Sequence, residues 1–418
     1  MTAGKADQSR AGLAEDFTLW DANVMLSGMK HLMPLSIAAL VLLTMPGWAQ
    51  DDRPPDPCGT QSPPVSIGIR VDCLRSEKWD AQKEWAAKYG TAGYQYLIGG
   101  LYGGGSSGVP QDYAKAVKWY RLAADQGHAD AQFYVGVQYE KGTGVPQDYA
   151  KAVKWYRLAA DQGHADAQFY VGAIYYFGKG VPRDYAKAMK WFRLAADQGL
   201  ANAQFNLGVQ YDNGLGVPQD YAAAAKWWRL AADQGHVKSQ FNLGAMYANG
   251  LGVPQDYAAA AKWWRLAADQ GHADAQFNLG VQYDNGLGVP QDYAAAAKWW
   301  RLAADQGHAD AQFNLGARYY FGKGVPQDYA KAMKWFRLAA DQGYADAQFN
   351  LGAMYANGQG VPQDYVQAHT WANLAAVDGD PERTEIRAQI AKRMTPAQIA
   401  EAQRRAREWT EAFENRKR

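Results

Sequence analysis

Cysteine is nearly absent from this chain: two residues in 418, Cys58 and Cys73, both near the N-terminal end. So few thiols exclude a disulfide-dense scaffold and a cysteine-ligated zinc or iron–sulfur module. A surplus of one charge sign is missing too, with Lys+Arg at 43 against Asp+Glu at 42. Such a chain has no net field to draw it to nucleic acid, which is not an expected partner. No apolar run reaches the ~20 residues of a spanning helix; the longest, Leu32 to Met45, contains Pro34 and is followed by Pro46. Serine is scarce beyond the first 50 residues, and the one Ser-x-x-Lys runs from Ser27 to Lys30. A serine mechanism that needs Ser-x-x-Lys with Lys-Thr-Gly and Ser-Asp-Asn elements therefore has no visible carrier. No catalytic residue, cofactor or metal is expected.

What the chain has is repetition. Pro110, Pro146, Pro182, Pro218, Pro254, Pro290, Pro326 and Pro362 stand 36 residues apart, each inside Gly-Val-Pro-(Gln/Arg)-Asp-Tyr. A fixed period of that size marks a solenoid, in which one hairpin cannot bury its apolar face alone. Residues 108 to 143 serve as the type unit. Asp112 reads as the N-cap of a helix through Asp125, with Tyr113, Ala116, Val117, Tyr120 and Ala124 on one apolar flank and Trp119, Leu122 and Ala123 on a second. Lys115, Lys118, Arg121 and Asp125 fill the remaining arc as a solvated face, and Gly127 supplies a left-handed stop. A second helix runs from about Ala129 to Lys141, with Gly136 where a neighbour must come close. The fold expected is all-α: an α-solenoid, a right-handed superhelix of stacked antiparallel helix hairpins.

The order Asp-Tyr-x-x-Ala-x-x-Trp-(Tyr/Phe/Trp)-x-x-Ala-Ala, Gly, then Ala-x-x-x-(Leu/Val)-Gly-x-x-Tyr-x-x-Gly-x-Gly-Val resembles the Sel-one-like repeat family, relatives of the tetratricopeptide repeats. It is carried here by Asp112, Tyr113, Ala116, Trp119, Tyr120, Ala123, Ala124, Gly127, Ala131, Val135, Gly136, Tyr139, Gly142, Gly144 and Val145. The resemblance implies binding of a protein or peptide along the solenoid. Residues 108–359 read as seven such repeats, after a degenerate first copy or cap at 73–107 and before a degenerate last copy at 360–394. A helix at 395–418, opened by Thr395-Pro396-Ala397-Gln398 as a capping box, hides the open end.

Residues 29–49 read as a signal peptide inside an N-terminal extension spanning 1–49: Lys30-His31, an apolar stretch, then Gly47-Trp48-Ala49 before Gln50. Translation is expected to start at Met25 or Met29. Cleavage near Ala49-Gln50 would export the protein to the periplasm or medium, and membrane association is not expected unless that segment stays uncleaved. Export permits a Cys58–Cys73 disulfide, worth roughly 3 kcal/mol in the chain-entropy model, across a Pro-rich leader at 50–72.

His128, His164, His236, His272 and His308 share one repeat position. Equivalent atoms in neighbouring repeats should stand about 10 Å apart, too far for one metal, so they read as turn packing. More informative are the positions that differ between copies of the second helix: Tyr134, Val137, Gln138, Glu140 and Lys141 share an arc of about 160°. In other copies that arc carries Tyr176, Phe177, Asp212, Asn213, Asn249, Asp284, Asn285, Tyr320 and Phe321, the candidate partner contacts. The expected function is an exported interaction scaffold or regulator, with envelope signalling as the expected setting. A hydrolase acting on β-lactams or cell-wall material, and a structural envelope component, are the alternatives.

Overall fold

The computed structural model describes residues 78–105, 109–377 and 379–417. The expected signal peptide, the Pro-rich leader and the Cys58–Cys73 pair lie outside them. Among the described residues the secondary structure is entirely helical. After α1 (Lys78–Tyr89) and α2 (Ala92–Gly104), helices carrying the Trp-(Tyr/Phe/Trp) pair alternate with helices carrying the close-contact glycine. The Trp helices are α3 (Tyr113–Asp125), α5 (Tyr149–Asp161), α7 (Tyr185–Asp197), α9 (Tyr221–Asp233), α11 (Tyr257–Asp269), α13 (Tyr293–Asp305) and α15 (Tyr329–Asp341). The Gly helices, with α2 as the first, are α4 (Ala129–Lys141), α6 (Ala165–Phe177), α8 (Ala201–Asn213), α10 (Val237–Asn249), α12 (Ala273–Asn285), α14 (Ala309–Phe321) and α16 (Ala345–Asn357). The array ends in α17 (Tyr365–Ala375), α18 (Pro381–Ala391) and α19 (Pro396–Lys417).

Each Trp helix starts where its aspartate caps it. Asp112 is extended at φ −151°, and its Oδ1 accepts from Lys115 N–H at 2.9 Å. The Gly helices end on a left-handed glycine, as at Gly142, φ 68°. The Gly helix then packs intimately on the Trp helix that follows it. A Cβ on Gly136 would sit 2.6 Å from the Tyr156 ring, and one on Gly208 only 2.3 Å from the Trp228 indole. Any larger residue there forces apart two helices.

A glutamine ladder, each rung joining a buried glutamine to an exposed one and unmarked in the sequence, ties successive repeats. Gln132 Nε2 donates to Ala124 O at 3.1 Å, capping the end of the preceding Trp helix, while its Oε1 accepts from Gln162 Nε2 at 2.7 Å. The same pair recurs as Gln198 to Gln168, Gln234 to Gln204, Gln270 to Gln240, Gln306 to Gln276 and Gln342 to Gln312, at 2.7–2.8 Å. Each net bond contributes about 1 kcal/mol, and each lies at a repeat junction.

The terminal helix has the expected reciprocal cap: Thr395 N–H donates to Gln398 Oε1 at 2.9 Å, and Gln398 N–H to Thr395 Oγ1 at 3.3 Å. Its Ala402 and Ala406 are buried, and Trp409 meets Trp371 edge-on at 6.3 Å.

Candidate functional site

The histidines are used up by the turns. His164 Nδ1 accepts from Ala167 N–H at 3.2 Å as an N-cap, its ring stacks on Phe133 at 4.9 Å, and Nε2 faces Asp130 Oδ1 at 3.2 Å. His272 and His308 repeat the cap and the stack, on Phe241 and Phe277. Burial, with Lys238 nearby, drives the His236 imidazole down to about 4. Among the described residues no three or more His, Cys, Asp or Glu side chains group as metal ligands.

The arc expected to be free on the Gly helices is mostly packed. Val137, Gln138 and Glu140 are buried, as are Ile174, Gln210, Met246, Gln282 and Met354 at corresponding positions. Only the helix ends reach solvent, and they come in two kinds. At the aromatic ends, Tyr176 is half-buried, edge-on to Phe177 at 5.0 Å and to Tyr185 at 5.1 Å. Tyr320 likewise meets Tyr329 at 5.2 Å, and its hydroxyl donates to Gln359 Oε1 at 3.1 Å. The outer partners differ: Phe177 is half-buried near Lys179, whereas Phe321 is 66% exposed.

At the polar ends, Asn213, Asn249 and Asn285 each donate to the carbonyl four residues back, Val209, Ala245 and Val281, at 2.9 Å. Their amides are occupied by their own helices. Asp212 is half-buried. Asp284 pairs with Arg318 of the next Gly helix at 2.6 Å, and burial pushes its carboxyl above the ordinary carboxylate range. The nine candidates thus differ in exposure, and among their rings Phe321 is the one most available for contact.

Three features were misread or missed. The arginine row is not simply solvated: Arg193, Arg229, Arg265 and Arg301 lie 4.7–5.5 Å over Trp227, Trp263, Trp299 and Trp335 of the next repeat. Arg193 Nη2 also donates to Tyr211 Oη at 2.8 Å. Leu122 is not part of a buried flank, because it and its copies stay 37–48% exposed. Glu140 is buried, accepts from the Tyr156 hydroxyl at 2.6 Å, and is pushed up to about 7 by that burial against the opposing hydrogen bond. Its carboxylate sits at a position that differs in every neighbouring copy, and no sequence pattern marks it as enclosed.

The Sel1 repeat profile matches eight successive stretches, residues 92–128, 129–164, 165–200, 201–236, 237–272, 273–308, 309–344 and 345–380. Each begins with a Gly helix and ends with the turn after the next Trp helix, the pair that packs most intimately. Among solved structures, a Sel1 repeat protein from Oxalobacter formigenes is 36% identical, over 78% of this chain and 94% of its own, with a TM-score of 0.60. A protective antigen of uropathogenic Escherichia coli with an SLR fold is 33% identical, over 80% and 87%, with a TM-score of 0.54. No curated protein matches the chain.

Proposed function

The chain belongs to the Sel1 repeat family, and on that premise we propose that it is an exported scaffold that holds a protein or peptide partner through the Phe177 and Phe321 ends of its Gly helices. Repeats of this kind generally mediate protein–protein interaction, and the proteins built from them are typically not enzymes. The observation that carries the reading is Phe321, a large ring 66% exposed beside a tyrosine held in place from behind. Phe177, half-buried, stands at the same repeat position four units earlier, about 40 Å away at one helix-packing distance per repeat and layer. Rigidly backed aromatic rings are the usual anchors of an interface, because little conformational freedom is lost on binding. Two anchors so separated suit an extended partner. The sequence signals at residues 29–49 support a place in the envelope, where such a scaffold would regulate a signalling assembly.

The test is affinity capture of residues 50–418 from a gently cross-linked envelope fraction, in parallel with a Phe177→Ala/Phe321→Ala variant. One stoichiometric partner is expected, with its affinity for the variant reduced at least tenfold and helical circular dichroism unchanged. Equal capture by the variant overturns the assignment of the anchors. Partner-free protein in every preparation overturns the scaffold reading.

A further inference from the structure

On the opposite layer, each Trp helix turns an ordered strip of side chains to solvent. Leu122, Leu158, Leu194, Leu230, Leu266, Leu302 and Leu338 are 37–48% exposed, and each follows an exposed lysine by four residues: Lys118, Lys154, Lys190, Lys226, Lys262, Lys298 and Lys334. Three residues after each leucine stands an aspartate: Asp125, Asp161, Asp197, Asp233, Asp269, Asp305 or Asp341. Among the described residues, none of these lysines is in an ion pair, and of the aspartates only Asp341 is, with Arg337. At 1.5 Å per residue the lysine row runs about 6 Å to one side of the leucine row and the aspartate row about 4.5 Å to the other.

We propose that this face docks a second copy of the chain, the two arrays lying face to face and running in the same direction about a two-fold axis parallel to the leucine row. That operation sets leucine against leucine and exchanges the flanks, so each copy's lysines meet the other's aspartates. The alternative two-fold, perpendicular to the row, would set lysine against lysine. Four consecutive repeats offer about 40 Å by 18 Å, or about 700 Å² per partner, near the lower end of stable interfaces.

The end of the array shows the contrast. In α17 the equivalent leucine, Leu374, is buried where the chain covers this face itself with α19; the lysine position there is Thr370, buried with its hydroxyl against Ala402 O of α19, while the aspartate position is Val377, left 81% exposed. Where the chain covers the leucine with the apolar side of its own amphipathic helix, a buried threonine replaces the lysine; where lysine and aspartate persist, the fitting cover carries the opposite charges in reverse order. A dimer of this kind leaves the Phe177 and Phe321 ends on the other layer, so one assembly would hold two partners.

Sedimentation equilibrium on the full chain tests it with two charge-reversed variants. Lys190→Glu/Lys226→Glu/Lys262→Glu makes the strip wholly acidic at its centre, and Asp197→Lys/Asp233→Lys/Asp269→Lys makes it wholly basic. The expected results are a wild-type dimer, at least tenfold weaker self-association of each variant with unchanged circular dichroism, and a heterodimer when the two are mixed. A monomeric wild type overturns the proposal. So does a variant that dimerises as wild type does, or a mixture that fails to associate.

Discussion

The N-terminal repeats and the central ones share a backbone but fill it with different chemistry. Where the N-terminal copies place Tyr120 and Tyr156 against the close-contact glycine, the central copies place Trp228, Trp264 and Trp300. Each buried ring needs a partner for its polar atom. Tyr156 donates to Glu140, an acid enclosed for the purpose, whereas Trp228, Trp264 and Trp300 donate through Nε1 to the carbonyls of Phe205, Phe241 and Phe277 at 3.1 Å. The tyrosine solution introduces a titratable group into the interior; the tryptophan solution does not. The repeat therefore fixes where a ring goes, and the neighbouring variable position settles whether it brings a charge with it.

The largest effect that would separate the two regions comes from emptying a central site. Trp264→Ala should destabilise its repeats by about 3–5 kcal/mol, since the indole is buried and its cavity is walled by helix backbone. Because repeat arrays unfold piecewise, residue-resolved hydrogen exchange is the proper readout, and lost protection should centre on α10 and α11. Tyr156→Phe, which keeps the N-terminal ring but strands Glu140, should cost about 1–3 kcal/mol. Equal losses from these two changes would dissolve the contrast.

The next effect is opposed pH dependence. Glu140 titrates near 7 when folded, above its unfolded value, so its favourable contribution is complete below about 4.5 and is lost as pH rises through 7. His236 titrates near 4 when folded, below its unfolded value, so the contribution there is complete above about 6.5 and is lost as pH falls through 4. Protection around α4 and α5 should therefore weaken toward neutral pH, and protection around the start of α10 should weaken toward acid. Glu140→Gln should abolish the first slope and leave the second. Parallel slopes in the two regions would show that neither group governs its neighbourhood.

Helix bounds, caps, stops and stacking were legible because each follows from a rule about the backbone. Asp112, Gly142 and the Thr395–Gln398 box needed only local sequence. The histidines, too, were legible as turn packing, because a 36-residue period keeps equivalent side chains apart. What stayed hidden depends on the next repeat. Periodicity groups Leu122 with Trp119 and Ala123, yet the neighbouring helix covers the tryptophan and alanine and leaves the leucine 37% exposed. Likewise Gln132 and Gln162 look like ordinary polar helix and turn residues until their 2.7 Å contact joins two repeats. Variation between copies suggests a free face, but at Glu140, Ile174 and Met246 it reflects the different neighbours that each position must fill space against.

The smallest expected effect tests the surface side of the same contrast. In the N-terminal copies Lys115, Lys151 and Lys187 cover the Tyr102, Tyr139 and Tyr175 rings at 5.5 Å while pairing with their own N-cap aspartates. Their places are taken by Ala223, Ala259 and Ala295 in the central copies, where the arginine of the preceding Trp helix serves the tyrosine and the next tryptophan together. Arg265 lies 4.8 Å over Trp299 and donates to Tyr283 Oη at 2.5 Å. Arg265→Ala should thus cost about 1 kcal/mol, and Arg265→Lys should recover little of it, because an ammonium lacks the planar guanidinium's stack. Arg157→Ala, at an exposed position in the N-terminal region, should fall within about 0.5 kcal/mol of wild type. If both substitutions prove neutral, the arginine row is a solvated face after all, and the central repeats are held together by their tryptophans and glutamines alone.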